Sequence, residues 1–282
     1  MIKTICVAGA GTMGSGIALV AAQAEFKVLL FDLNPAMLEK AAVVIQKNID
    51  FLIRKEKITS SAGTNIFDNI QFISDADLCI ADFFIEAIIE DAAAKIELFN
   101  QFAAINDATV ILATNTSSIP VSLIQGGVAH PERVGGMHFF NPAPAMKLVE
   151  VIKGNQTSDA TVKTIHMLCN AMGKIPVYCK DAPGFIVNRI ARQYYLEAMR
   201  IVEAGIASIE EVDGLMEASG FKMGPFKLAD LVGLDINLTV SKLIYEAFDE
   251  TPRFAPSSLQ EEKVARGELG RKTGKGFYNY TS

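Results

Sequence analysis

His138 is one of three histidines in this chain of 282 residues, and its setting suits proton transfer. It ends an apolar run that predicts a strand over residues 134–138, and open α/β sheets place ligands at the carboxyl ends of their strands. Glu150 follows twelve residues later inside a second apolar run, where an unpaired buried carboxylate is costly. A carboxylate that orients an imidazole forms a common acid/base unit, so we expect the two side chains to pair. On its own, the pattern is equally compatible with an exposed glutamate on an edge strand.

Small polar side chains follow another predicted strand, in the run ATNTSS at residues 113–118. They could bind a ligand at the same sheet edge, or they could cap a helix, as Ser and Thr commonly do. Asn188 lies about one helical turn beyond Pro183-Gly184. Its amide could reach a cleft between domains, or it could be an ordinary surface residue. His130, beside a proline, and His166, in a helical stretch, give no comparable indication of chemistry.

Gly9, Gly11 and Gly14 form the pattern G-x-G-x-x-G between a predicted strand and a predicted helix. The first glycine permits a tight turn, the second lets the backbone approach a pyrophosphate, and the third lets helix and strand pack closely. Asp32 ends the next predicted strand 18 residues after Gly14, near the spacing of about 20 expected for a carboxylate that binds ribose hydroxyls. No arginine follows in residues 33–36 to neutralise a 2′-phosphate, so the pattern favours NAD over NADP. The alternative is a tight turn beside a surface aspartate.

The composition of the chain and the order of its strand-like and helical segments predict the fold that positions these residues. An apolar share of 50% excludes a disordered chain, and a net charge of −6 gives no support for a nucleic-acid partner. Strand-like and helical segments alternate in the first part of the chain, which predicts a largely parallel sheet. Helical patterns follow at 185–204, 209–218, 225–248 and 257–266. We therefore predict an α/β domain over residues 1–183 and a smaller all-helical domain over residues 184–282.

The amino-terminal region carries no charge over residues 4–24, which raises the alternatives of a signal peptide or a membrane span. Four glycines interrupt this stretch, so a buried strand followed by a turn is the better interpretation. The four cysteines lie far apart without a CxxC pair, which predicts reduced thiols in a cytoplasmic protein and no metal site.

Five motifs occur together and in a fixed order: GAGTMGSGIA, ATNTSS, HFFNP with MKLVEVI, KDAPGFIVNR and GRKTGKGFYNY. Together they resemble the 3-hydroxyacyl-CoA dehydrogenases, most closely the short bacterial 3-hydroxybutyryl-CoA dehydrogenases, over essentially the whole chain. The resemblance implies a Rossmann-type domain followed by a helical domain. It also implies an oxidoreductase that interconverts (S)-3-hydroxyacyl-CoA and 3-ketoacyl-CoA with NAD(H), and a homodimer formed through the helical domain.

The resemblance implies roles for the site residues. His138 is the general acid/base and Glu150 orients it, while Ser117 binds the C3 oxygen of the substrate and Asn188 its C3 or thioester oxygen. The dinucleotide side comprises the residues Gly9, Gly11, Thr12, Met13, Gly14, Asp32, Glu90, Lys95, Asn115 and Asn141. One departure from the family pattern is Lys227, which replaces an acid of the motif MGPFELAD; a second is the basic segment just before that motif. Both lie in the helical domain, so they leave the details of the subunit interface and of the acyl pocket undetermined and do not affect the predicted chemistry.

Basic residues at the end of a predicted helix offer a site for the phosphates of coenzyme A. Arg54 and Lys55 belong to this cluster, although bases are also stabilised by the dipole at a solvated helix C-terminus. A second basic run, Lys263 to Lys275, is interpreted as structural. Apolar residues of the helical domain favour a dimer, which is the commonest oligomer. The residues in question are Phe185, Ile186, Ile190, Tyr194, Leu196, Leu228, Leu231, Leu234 and Leu238.

Two other functions stay open from the sequence. One is a different 3-hydroxyacid dehydrogenase of similar architecture, although that class ordinarily uses a catalytic lysine. The other is a protein that binds NADH without catalysis, against which the intact set of Ser117, His138, Glu150 and Asn188 argues.

Overall fold

A computed structural model describes residues 2–280. The chain divides into two compact units, the first ending at Ala182 and the second beginning at Pro183. Among the described residues, no helix combines the length and the apolar composition needed to cross a membrane.

The first unit contains one eight-stranded sheet. Its strands are β1 (Thr4–Ala8), β2 (Lys27–Phe31), β3 (Ile70–Ile73), β4 (Phe83–Glu86), β5 (Ile111–Thr114), β6 (Val134–Phe139), β7 (Leu148–Lys153) and β8 (Ile175–Lys180). They lie in the order β3-β2-β1-β4-β5-β6-β7-β8, and all neighbours are parallel except β6 and β7. The predicted mostly parallel, Rossmann-type sheet is confirmed. Strand β1 after Thr4 and strand β4 before Glu86 are apolar because helices cover both faces of a parallel sheet.

Six helices belong to this unit: α1 (Thr12–Gln23), α2 (Pro35–Arg54), α3 (Ser60–Asp68), α4 (Ala92–Ile105), α5 (Val121–Gln125) and α6 (Asp159–Ala171). The small residues of α1 let that helix pack closely on the sheet, and eight of its twelve residues are buried. Helix α3 was not predicted, because its small polar residues have little apolar periodicity. The residue before this helix, Thr59, is of a type that commonly caps helices. Its hydroxyl accepts a hydrogen bond from the Ala62 amide at 3.2 Å.

The reversal between β6 and β7 follows from the length of their connection. Only residues 140–147 join them, whereas a parallel crossover needs a dozen or more residues. The antiparallel register sets His138 opposite Glu150.

The second unit is helical, as predicted, with α7 (Val187–Glu203), α8 (Ile209–Ala218), α9 (Pro225–Val232), α10 (Leu234–Ala247) and α11 (Ser258–Ala265). The prediction of one helix over 225–248 was wrong. Gly233 has φ +102°, a conformation that suits glycine, and it separates α9 from α10. Buried Asp230 accepts hydrogen bonds from the Phe277 and Tyr278 amides, which fastens the end of the chain to α9.

The apolar surplus predicted for this unit is smaller than expected. Of the nine apolar residues predicted to favour a dimer, four are buried, and only Ile190 and Leu231 are exposed, by 67% and 49%. The Lys263–Lys275 run is engaged in ion pairs, with Lys263 and Lys275 on Glu268 and Lys272 on Asp235.

Candidate active site

His138 and Glu150 form a buried pair across the two antiparallel strands. The His138 Nδ1 atom lies 2.7 Å from Glu150 Oε2, and the residues are 5% and 1% exposed. The Phe140 ring packs against the imidazole, with the ring centroids 4.6 Å apart. Glu150 lies on an interior strand between β6 and β8, so the alternative of an exposed glutamate on an edge strand is wrong. The carboxylate fixes the orientation of the ring, as an acid/base unit requires.

The ATNTSS segment begins with the last two residues of β5, and the loop that continues from them is held on both sides by hydrogen bonds. Asn115 Oδ1 accepts from the Phe139 amide at 2.8 Å, which ties the loop to the strand end that carries His138. Glu90 accepts from the Thr116 hydroxyl at 2.6 Å and from the Ser117 amide at 3.0 Å. Burial raises the pKa of Glu90, but nearby Lys95 and these hydrogen bonds outweigh it and hold the pKa below its usual value. The side chain that positions Ser117 is therefore an anion at neutral pH.

Glu86 is a central residue of this network that the sequence reasoning missed. Its carboxylate is 1% exposed and accepts from Lys95 Nζ at 2.6 Å and from the Thr114 hydroxyl at 2.7 Å. Lys95 is equally buried and also lies 3.2 Å from Glu90. The Lys95 ammonium is enclosed by these two acids and supports Glu90 in its position. The signal was an acid inside the apolar run FFIEA, the same kind of signal that identified Glu150.

The glycine loop lies where the strand order reverses, between β1 and β4, which is where open α/β sheets bind ligands. Gly9 has φ +100°, and a Cβ there would lie 2.4 Å from the Ala87 carbonyl oxygen. A Cβ at Gly14 would lie 1.7 Å from the Gly9 carbonyl oxygen, whereas one at Gly11 would meet no protein atom within 4 Å. Packing therefore requires glycine at the first and third positions, whereas the second faces open space.

The loop and its surroundings fit NAD. Among the described residues, no side chain caps the N-terminus of α1 and no acid lies in its first turn, so its amides suit a pyrophosphate. Thr12 and Met13 begin this helix and line a cavity of about 780 Å³ together with Asp32. The Asp32 carboxylate accepts from the Ala10 amide at 2.8 Å and from the Asn34 amide at 2.9 Å. A carboxylate has further lone pairs for two ribose hydroxyls.

The segment between β6 and β7 is held by Lys174, another residue that the sequence reasoning missed. The Lys174 Nζ atom donates to the carbonyl oxygens of Ala143 at 2.6 Å and of Met146 at 2.9 Å. Burial, with the neighbouring Lys147 ammonium, lowers the pKa of Lys174. Asn141, predicted to line the nicotinamide pocket, lies exposed in this segment, and its bond to Pro142 is cis.

The remaining predicted residues lie outside these networks. Asn188 is half-buried near the start of α7 in the second unit, and Arg54 and Lys55 are exposed at the end of α2. His130 is an exposed loop residue, and His166 stacks on Tyr178 with the ring centroids 4.7 Å apart. These settings give neither His130 nor His166 a carboxylate-oriented, buried imidazole of the kind found at His138.

Comparison with known proteins bears on both units. The family model described as the 3-hydroxyacyl-CoA dehydrogenase NAD binding domain matches residues 4–182, and that of the C-terminal domain matches residues 184–280. The chain belongs to the 3-hydroxyacyl-CoA dehydrogenase family. It is thus an oxidoreductase with an NAD-binding domain, and the enzyme class and cofactor predicted from the motifs are confirmed.

Individual relatives of this dehydrogenase agree over nearly its full length. It is 42% identical to the 3-hydroxyadipyl-CoA dehydrogenase of Escherichia coli over 99% of this chain, and it spans 59% of that protein. It is 40% identical to the mitochondrial hydroxyacyl-coenzyme A dehydrogenase of Rattus norvegicus, over 99% of this chain and 92% of the rat protein. The crystal structure of (S)-3-hydroxybutyryl-CoA dehydrogenase from Ralstonia eutropha matches with a TM-score of 0.95 and 39% identity, over all of both chains.

Proposed function

We propose that this dehydrogenase interconverts a (S)-3-hydroxyacyl-CoA and the corresponding 3-ketoacyl-CoA, with His138 as the general acid/base. The observation that carries the proposal is the buried 2.7 Å contact between His138 and Glu150 at the carboxyl end of β6. The names of the relatives support a coenzyme A thioester, and the substrate pair in this proposal is 3-hydroxybutyryl-CoA and acetoacetyl-CoA.

His138 moves the proton of the C3 hydroxyl in this proposal. In oxidation the imidazole accepts that proton, and in reduction the imidazolium returns it to the C3 oxygen. Glu150 accepts a hydrogen bond from Nδ1–H, which assigns Nε2 to the proton exchange and stabilises the imidazolium once it forms. Imidazole serves both directions because the same ring nitrogen can accept a proton and give it back.

Bound NAD supplies the hydride acceptor or donor at C3. The glycine loop and the N-terminus of α1 bind its pyrophosphate, and Asp32 binds its adenosine ribose. Ser117, held through its amide by Glu90, donates to the C3 oxygen, and Asn188 binds the C3 or thioester oxygen. Arg54 and Lys55 provide positive charge for the phosphates of coenzyme A.

One assay separates this function from its alternatives. NADH oxidation is followed with acetoacetyl-CoA, with free acetoacetate and without substrate. Turnover of the thioester alone supports the proposal, and turnover of the free acid supports a different 3-hydroxyacid dehydrogenase. Tight NADH binding without turnover of either compound supports a non-enzymatic role.

Substitution of the histidine tests the mechanism. We expect His138→Ala to lower kcat by about 10²- to 10⁴-fold, the usual contribution of a positioned acid/base group, while NADH binding persists. His166→Ala is the matched control, because His166 stacks on Tyr178 at the surface. Loss of NADH binding together with activity in His138→Ala would contradict the catalytic assignment.

The proposal includes a homodimer formed through the helical unit and a cytoplasmic location. Exposed apolar residues on α7, α9 and α10 support the dimer; they are Ile190, Leu231, Val232 and Ile236. We expect a mass in solution twice the 30.5 kDa of one chain, and Ile236→Glu should shift it toward the monomer. The four cysteines, all without a disulfide, support a reducing compartment, which cell fractionation tests.

A further inference from the structure

Lys174 is a buried cation that the proposed mechanism does not use. It lies between α6 and β8 and is 7% exposed, yet among the described residues its ammonium donates to no acid. Its two hydrogen bonds go to carbonyl oxygens, that of Ala143 at 2.6 Å and that of Met146 at 2.9 Å. Burial of an ammonium without a counter-charge is costly, and an apolar side chain would fill this position at lower cost if the loop needed no fixed conformation.

The loop that Lys174 binds contains a compact turn at residues 142–146. The Ala145 and Met146 amides both donate to the Pro142 carbonyl oxygen at 3.0 Å. The Lys174 ammonium joins two further carbonyl oxygens of this turn. Lys174 is itself fixed by its backbone, because its amide donates to the Cys169 carbonyl oxygen at 2.9 Å. The turn is therefore attached to the end of α6.

The turn also packs against α1, the helix that follows the glycine loop. Gly16 is the fourth glycine of the motif GAGTMGSG and lies on this helix. A Cβ at Gly16 would lie 3.1 Å from Ala143 Cβ and 3.2 Å from Pro144 Cδ, so glycine permits the close approach. Ala143 is only 2% exposed. The turn is thus held by Lys174 and by the helix whose N-terminus suits the pyrophosphate.

Asn141 immediately precedes the turn and follows His138 by three residues. It is exposed, so the backbone that carries it decides where its amide lies. In the proposed function a hydride moves between C3 and the nicotinamide, and a proton moves between C3 and His138, so the nicotinamide must lie beside His138. Three residues span at most about 10 Å, and an amide side chain offers both donors and an acceptor to a carboxamide. Asn141 is therefore within reach of the nicotinamide.

We propose that Lys174 is a positioning residue for the dinucleotide: by fixing the turn at residues 142–146, it holds the Asn141 amide where it hydrogen-bonds the carboxamide of the nicotinamide. This inference rests on the proposed function for the place of the nicotinamide. Lys174 acts through the turn and touches neither substrate nor cofactor. The glycine loop and Asp32 bind the other half of the dinucleotide, so loss of Lys174 should weaken binding of the nicotinamide half alone.

The test compares NADH with ADP-ribose, which lacks the nicotinamide. Dissociation constants for both ligands are measured on the wild type and on Lys174→Met, at a temperature where both proteins are folded. We expect Lys174→Met to weaken NADH binding by about 3- to 10-fold, the effect of one typical hydrogen bond, and to change the affinity for ADP-ribose by less than about twofold. A parallel loss of both affinities, or no loss of either, would overturn the inference.

Lys147→Met is the matched control, because Lys147 is a cation of the same connection between β6 and β7 but is exposed. It should change neither affinity. A loss of NADH affinity in Lys147→Met equal to that in Lys174→Met would show that the effect comes from the positive charge of the loop and not from the buried hydrogen bonds, and would overturn the inference.

Asn141→Ala tests the link between the two residues and does not depend on the folding of Lys174→Met. Alone, it should show the same selective loss of NADH affinity, and Lys174→Met should add no further loss in that background. Normal NADH affinity in Asn141→Ala, or full additivity of the two losses, would overturn the inference. Absence of acetoacetyl-CoA turnover by the wild type would contradict the proposed function, whereas these binding measurements need no thioester and decide the role of Lys174.

Discussion

Replacement of Glu150 by glutamine removes the charge beside His138 and keeps the size of the side chain. The contact between Nδ1 and Oε2 is 2.7 Å, and both residues are buried. With charge centres about 4 Å apart and an effective dielectric constant near 20, the carboxylate stabilises an imidazolium by about 4 kcal/mol. That energy corresponds to about 10³-fold in rate, so we expect Glu150→Gln to lower kcat by about 10²- to 10³-fold.

The assay is steady-state NADH oxidation with acetoacetyl-CoA, accompanied by NADH titration and thermal unfolding. The chain offers a matched control in a second histidine–glutamate pair. His130 and Glu132 lie 3.5 Å apart with both side chains more than half exposed, so solvent screens their charges. Glu132→Gln should leave kcat and the affinity for NADH unchanged.

Two results would refute the reasoning about Glu150. A folded Glu150→Gln variant with kcat within about threefold of the wild type would mean that the carboxylate does not support the imidazolium during turnover. A parallel loss of kcat, NADH affinity and thermal stability would mean that Glu150 acts by holding β6 and β7 together.

Three further predictions concern the surroundings of the site. Lys174→Met leaves two carbonyl oxygens without their donor and should cost about 1–3 kcal/mol in urea unfolding, whereas Lys147→Met, at an exposed site, should cost less than about 0.5 kcal/mol. Gly14→Ala, which clashes with a loop carbonyl, should lower both thermal stability and NADH affinity, but Gly11→Ala should lower only NADH affinity. Two lysines hold the pKa of Glu268 at about 2 against an ordinary 4.5, so its stabilising contribution is present above about pH 4.5 and is lost as the pH falls toward 2. The difference in Tm between the wild type and Glu268→Gln should therefore narrow between about pH 5 and pH 3; a constant difference would contradict this.

The partnership of His138 and Glu150 was predictable because burial of a lone carboxylate is costly and an imidazole lay nearby in the chain. The strands, the glycine loop and Asp32 were predictable for a related reason, since each has a local signature in residue type and spacing. The antiparallel direction of β7 relative to β6 was not predicted. The sequence does indicate it, because a connection of eight residues is too short for the crossover that parallel strands need.

Other features depend on contacts between residues distant in sequence. Glu86 could be noticed as an acid within an apolar run. Its buried ion pair with Lys95, however, depends on how α4 packs on the sheet. The break at Gly233 depends on a positive φ that the surrounding apolar pattern does not specify. Burial of Arg192 could not be anticipated, because an arginine on an amphipathic helix ordinarily faces solvent.

The reversed strand β7 explains how a carboxylate reaches the edge of the sheet where ligands bind. The glycine loop, Asp32, the ATNTSS loop and His138 all lie at carboxyl ends of parallel strands. Glu150 is instead the third residue of its strand, and it meets His138 because β7 begins at the edge where β6 ends. A parallel β7 would bring its own carboxyl end, with Lys153, to that edge. The antiparallel pairing of β6 with β7 is therefore what places an anion, and not a cation, beside the imidazole.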